Sequence, residues 1–115
     1  MNNYTDVFIV FDTMSKRNIV DVFNHRCKFH KIQEENLVKK DDKMCLPINL
    51  QDWKDIDDNT DFENVLKALE RITNPKGGTP LLVLKAYLIG YDLNKKESFK
   101  YISTYEDGKH TVIQV

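Results

Sequence analysis

The apolar positions of this chain fall into runs of two periods. Residues 6–12, "DVFIVFD", are almost continuously apolar, β-branched and aromatic. Such a run predicts a central strand buried on both faces. Residues 16–26, "KRNIVDVFNHR", space Ile19, Val22, Phe23 and Arg26 by three and four. Val20 widens the stripe, and Lys16, Arg17, Asp21 and Asn24 fall outside it. This is the pattern of an amphipathic helix, which Thr13 or Ser15 can cap. Residues 27–38, "CKFHKIQEENLV", alternate imperfectly and read as a strand. "KKDDK" (39–43) reads as a polar turn, and "MCLPINL" (44–50) as a strand that Pro47 confines to an edge or a bulge. Residues 51–61 form an acidic loop with a helical turn around Trp53.

The strongest helix signal follows. Thr60 and Glu63 match a capping box, and Phe62, Val65, Leu66, Leu69 and Ile72 then share one face. "TNPKGGTP" (73–80) ends that helix. Residues 81–93, "LLVLKAYLIGYDL", are rich in branched and aromatic side chains and read as a long strand, with Gly90 marking a bulge. "SFKYISTY" (98–105), Asp107-Gly108 and "HTVIQV" (110–115) give a β-hairpin. The order β, α, β, β, α, β followed by a hairpin is that of an α+β ferredoxin-like βαββαβ sandwich. Two helices cover one face of an antiparallel sheet, and a C-terminal hairpin is added. At 115 residues the chain is expected to be one domain, 1–115.

Composition narrows the function classes. The net charge of −1 gives no global attraction to nucleic acid or membrane. No apolar run approaches the roughly 20 residues of a membrane helix. The start "MNNYTD" has neither a basic region nor an apolar core, so a cytoplasmic protein is expected, with Cys27 and Cys45 as free thiols. Lys and Asn are frequent and Ala is scarce, a bias of AT-rich genomes. That composition suits a phage or mobile-element accessory protein, placed in the host cytoplasm if viral.

Candidate chemistry is sparse. Asp12 ends the first strand just before a helix, where an acid can hold a metal or simply accept amide hydrogen bonds. The order of strand, acid and helix over the first 25 or so residues resembles the ferredoxin-like nucleases of CRISPR adaptation systems. That resemblance implies a dimeric metal-dependent phosphodiesterase in which two Asp12 carboxylates meet across a two-fold axis. Asp57, Asn59 and Asp61 begin like a calcium loop, but Phe62 and Ala68 stand where Gly and Glu are required. His25, Cys27, His30 and Cys45 lack the paired spacing of zinc ligands, and "KGGTP" follows a helix instead of opening one. No metal and no cofactor are expected.

Two surface readings remain. Trp53 with Asp55, Asp57 and Asp58 reads as an acidic docking loop, unless Trp53 is packed in the core. Tyr101 and Tyr105 with Lys100 and Lys109, near Tyr87, Tyr91, Lys95 and Lys96, could contact a protein or stack single-stranded nucleic acid. With no enzyme motif complete, the expectation is a small adaptor or inhibitor that docks on a macromolecular protein partner. A nucleic-acid module is the alternative. A homodimer is expected because an open sheet face or edge needs cover.

Overall fold

The computed structural model describes residues 3–12, 15–27, 30–53, 60–74 and 85–115. Strand β1 (Tyr4–Phe11) lies between β3 (Lys43–Pro47) and β4 (Lys85–Asp92). The short β2 (Val38–Lys40) flanks β3, and the hairpin of β5 (Glu97–Glu106) and β6 (Lys109–Gln114) continues the sheet beyond β4. The order is β2-β3-β1-β4-β5-β6, and every neighbouring pair is antiparallel. Ile9 stands opposite Leu46 on one side and Leu88 on the other, which makes β1 central as its apolar run predicts.

The expectation of burial on both faces is met at Val10 but not at Phe8. Val7, Ile9, Phe11, Leu46, Ala86 and Leu88 share a core with the two helices. Phe8, on the other parity, is only half-buried. Both helices therefore lie on one face, and among the described residues no helix covers the second. Helix α1 (Lys16–Arg26) buries Ile19, Val22 and Phe23 and is capped by Ser15, whose side chain accepts from Asn18 N; Thr13 lies outside the described residues. Helix α2 (Asp61–Thr73) is capped by Thr60, which accepts from Glu63 N at 3.1 Å. Its buried face is Asn64, Val65, Ala68, Leu69, Ile72 and Thr73, with Phe62 and Leu66 at the margin.

The described residues of 27–38 are not the expected strand; residues 28 and 29 lie outside the described residues. The stretch holds a 3₁₀ turn at Glu34–Asn36, and β2 begins only at Val38. Among the described residues of the stretch, Cys27, Ile32 and Leu37 are buried, at intervals of five instead of two. Asn24 explains the difference: its Oδ1 accepts from Ile32 N at 2.8 Å and its Nδ2 donates to Ile32 O at 2.9 Å. A helix side chain thus supplies the pairing that a neighbouring strand would give, so this backbone needs no ladder. Pro47 is likewise not on an edge strand. Ile48 N donates to Val7 O, so Phe8 and Pro47 form a non-hydrogen-bonded pair and the proline nitrogen turns toward β2. There the β2 ladder has already ended at Cys45, and no partner loses a donor.

The bulge expected at Gly90 is on the opposing strand. β4 runs in unbroken register with β5, while β1 carries an extra residue between Thr5 and Phe8, with Asp6 at φ 53°. Gly90 instead makes room for Phe99. A Cβ there would lie 2.5 Å from Phe99 Cζ and 3.1 Å from Val7 Cγ2. The Phe99 ring cannot swing aside freely, because it packs edge-on to Tyr4 and Phe62. Gly90→Ala is expected to cost about 1–3 kcal/mol in urea unfolding, with part recovered by adding Phe99→Leu. The hairpin turn is as expected, with Asp107 and Gly108 both at positive φ.

Both cysteines are free and buried. Cys27 lies with Sγ 3.7 Å from Ala68 O, and burial pushes its thiol up to about 12. Between roughly pH 9 and that value the unfolded chain releases a proton that the folded chain keeps. Stability must then fall as pH rises, by up to about 1.4 kcal/mol per unit from this group. Alkaline unfolding of the wild type should accordingly be steeper with pH than that of Cys27→Ala. Equal slopes would refute the assignment.

Candidate functional site: the uncovered face of the sheet

Side chains alternate along a strand, so each strand sends every second residue to the face without helices. β1 contributes Phe8 and Val10, and β4 contributes Lys85, Tyr87, Ile89 and Tyr91. β5 supplies Lys100, Ile102 and Thr104, β3 supplies Lys43 and Cys45, and β2 adds Val38 and Lys40. Tyr87 is the centre of this face. The ammonium groups of Lys100, Lys85 and Lys43 lie 4.6, 5.5 and 5.7 Å from its ring centroid, and Lys40 lies 4.8 Å from that of Phe8. Each contact holds a cation against the negative face of a ring. A hydrogen bond to Tyr87 raises the pKa of Lys85, and one to Asp12 raises that of Lys43. Both lysines stay charged across the physiological range.

Beside the β1 bulge this face dips into a cavity of about 630 Å³, walled by Phe8, Ile89, Tyr91, Lys40, Lys100 and Val115. Thr5, Asp6 and Phe8, at the extra residue of β1, line one side of this hollow. Asp is among the few non-glycine residues that accept the left-handed conformation Asp6 adopts there.

Asp12 is engaged with a lysine. Its Oδ1 accepts from Lys43 Nζ at 2.5 Å, and that hydrogen bond holds its carboxyl below the usual range. The pair is about half exposed on both sides, so it contributes little to stability. Among the described residues no group of three or more His, Cys, Asp or Glu could hold a metal ion. Asp12→Asn is expected to leave the urea midpoint nearly unchanged and to leave anion binding on this face intact or tighter. A variant that instead lost a metal-dependent cleavage activity would restore Asp12 as a catalytic carboxylate.

The other sequence candidates disperse. Trp53 is 1% exposed and belongs to the core, stacked on His30 at 4.2 Å and edge-on to Phe23. It is not available for docking, and Asp55, Asp57 and Asp58 lie outside the described residues. "KGGTP" (76–80) also lies outside them. Tyr101 does not share a face with Lys100: it points to α2, 5.9 Å from Phe62 and 6.0 Å from Phe99. Tyr105, opposite His110, is half-buried on the same helix-side face. Adjacent residues in one strand cannot build one platform, so the grouping drawn from sequence mixes two faces.

A second polar cluster was invisible in the sequence. Thr73, Ser103 and His110, from three different elements, meet with Thr73 Oγ1 2.6 Å from Ser103 Oγ and 2.9 Å from His110 Nε2. Ser103 Oγ is in turn 3.2 Å from His110 Nε2, and the Thr73 hydroxyl also lies 3.1 Å from Glu70 O. Ser103 and Thr73 are fully buried, which denies a substrate access to either hydroxyl. The cluster ties the hairpin to the end of α2.

No family model, no curated protein and no solved structure matches the chain. Among the described residues no helix is long and apolar enough to cross a membrane.

Proposed function

We propose that this is a binding protein whose uncovered sheet face takes single-stranded nucleic acid. The observation that carries the reading is the Tyr87 ring with the ammonium groups of Lys43, Lys85 and Lys100 within 6 Å, on a face without a helix. Lysines that neutralise phosphates release counterions, and an aromatic ring between them offers a stacking surface to a base. On binding, the ammonium groups move from the ring to the phosphates and the ring face becomes free for a base. Phe8 with Lys40 repeats the arrangement on β1. Lys40, Lys43, Lys85 and Lys100 gather on this face, with Asp12 and Glu106 beside Lys85. Lysine is depleted in the cores of protein–protein interfaces, which favours nucleic acid over the docking on a protein partner expected from the sequence.

The finer fold assignment belongs to the same proposal. The first four strands and two helices form a ferredoxin-like unit, supported by the order β2-β3-β1-β4 with β1 and β3 central and antiparallel. In that arrangement the face opposite the helices is the natural reading surface for single strands.

Fluorescence anisotropy with a labelled polypyrimidine oligonucleotide tests the function. Binding should weaken as salt rises, with a log–log slope of about −0.7 for each phosphate contacted. Absence of binding at low salt, an affinity insensitive to salt, or equal competition by polyglutamate would reject nucleic acid as the ligand.

A further inference from the structure

The sheet has two edges, and they are not alike. The β2 edge is three residues long, carries Lys39 and Lys40, and runs into Asp41 and Asp42. A short, charged edge resists pairing. The β6 edge is six residues long, and among the described residues no strand pairs with its outer side. Three large apolar side chains stand exposed on or just after it: Val112 at 38%, Ile113 at 56% and Val115 at 72%.

The hydrogen-bond phase of β6 specifies what can add to it. Val115 N donates to Lys100 O at 2.9 Å. In an antiparallel ladder the bonded pairs alternate, so Lys109, Thr111, Ile113 and Val115 turn their backbone groups to β5. His110, Val112 and Gln114 turn theirs outward. An occupant must therefore be a strand that meets donors and acceptors at every second residue.

We propose that the occupant is a second copy of this chain, joined antiparallel β6 to β6 about a two-fold axis at Val112. This register uses every outward group: Val112 pairs with its own equivalent, and His110 pairs with Gln114 of the second copy. It sets Thr111 against Ile113 and Lys109 against Val115, so no like charges meet, and Val112 and Ile113 face apolar or neutral side chains. The pattern of β6 is thus complementary to itself. An axis perpendicular to the sheet puts the two helix-free faces on the same side of one continuous sheet. The dimer therefore presents both Tyr87 clusters to a single ligand strand, which raises the effective affinity of a long strand without any new contact.

Sedimentation velocity up to about 0.1 mM tests the state, where weak but specific complexes are populated. The wild type should sediment as a concentration-dependent dimer. Val112→Lys puts like charges face to face at the axis and should raise the dissociation constant at least about tenfold, with the fold checked by circular dichroism. Val112→Cys tests the register: its Cα atoms would stand about 5.5 Å apart, within disulfide range, and mild oxidation should cross-link the dimer. Thr111→Cys, which faces Ile113 of the second copy, should cross-link far less. A monomeric wild type, a Val112→Lys chain that dimerises like the wild type, or equal cross-linking from the two positions would each overturn the proposal.

Discussion

Trp53→Ala is expected to lower stability by about 3–5 kcal/mol in urea unfolding. A domain of this size has roughly 5–15 kcal/mol in total, so the variant should be close to the limit of folding. The loss arises from position. Trp53 is 1% exposed at the end of a 3₁₀ turn (Leu50–Trp53), stacked on His30 and edge-on to Phe23. Its removal leaves a cavity where α1, α2 and the 30–32 segment meet, and close-packed neighbours cannot fully collapse into it. The turn itself is anchored separately, since Asn64 Nδ2 donates to Trp53 O at 2.6 Å and that bond does not need the indole. Trp53→Phe keeps most of the volume and should cost about 1–2 kcal/mol. A loss below about 1 kcal/mol for alanine would mean the indole is not in the core, and would return Trp53 to the list of docking residues.

Tyr87→Ala should weaken oligonucleotide binding by about 1–3 kcal/mol, the usual loss for one stacked base, or roughly 5- to 150-fold. The triple change Lys43→Gln, Lys85→Gln and Lys100→Gln should reduce the magnitude of the salt slope by about 2. Neutralising Lys67 on α2 and Lys95 in the β4–β5 turn, both exposed and away from the Tyr87 ring, should change neither quantity beyond a uniform small amount. Tyr101→Ala provides the sharper contrast. Its ring packs with Phe62 and Phe99 under α2, so it should lower stability while leaving the salt slope intact. If Tyr101 mattered for binding and Tyr87 did not, the helix-free face would be the wrong surface.

The helices were legible because their signals are local: Ile19, Val22 and Phe23 recur at helical spacing, and Thr60 caps through a bond to a residue three positions on. The hairpin was legible for the same reason, with Asp107-Gly108 supplying the positive φ its turn demands. The backbone at Ile32 is not legible in the sequence because its partner is a side chain on the preceding helix, and periodicity carries no trace of Asn24 bonding to Ile32. The Gly90 signal was real but its cause was misplaced. The need for a glycine came from the Phe99 ring, and the bulge lay on β1.

The sequence by itself determined the inventory: two helices, their buried stripes, a central apolar strand and a terminal hairpin, each set by interactions within a few residues. Only the tertiary structure decided which residues share a surface. Lys43 meets Asp12 across 31 positions, and Tyr87 gathers lysines from β3, β4 and β5. Lys100 and Tyr101 are neighbours in the chain and stand on opposite faces of the sheet. A strand's own alternation says which residues lie together on one side. Which side is covered, and which strands lie next to each other, depends on pairings between distant segments that no local pattern encodes.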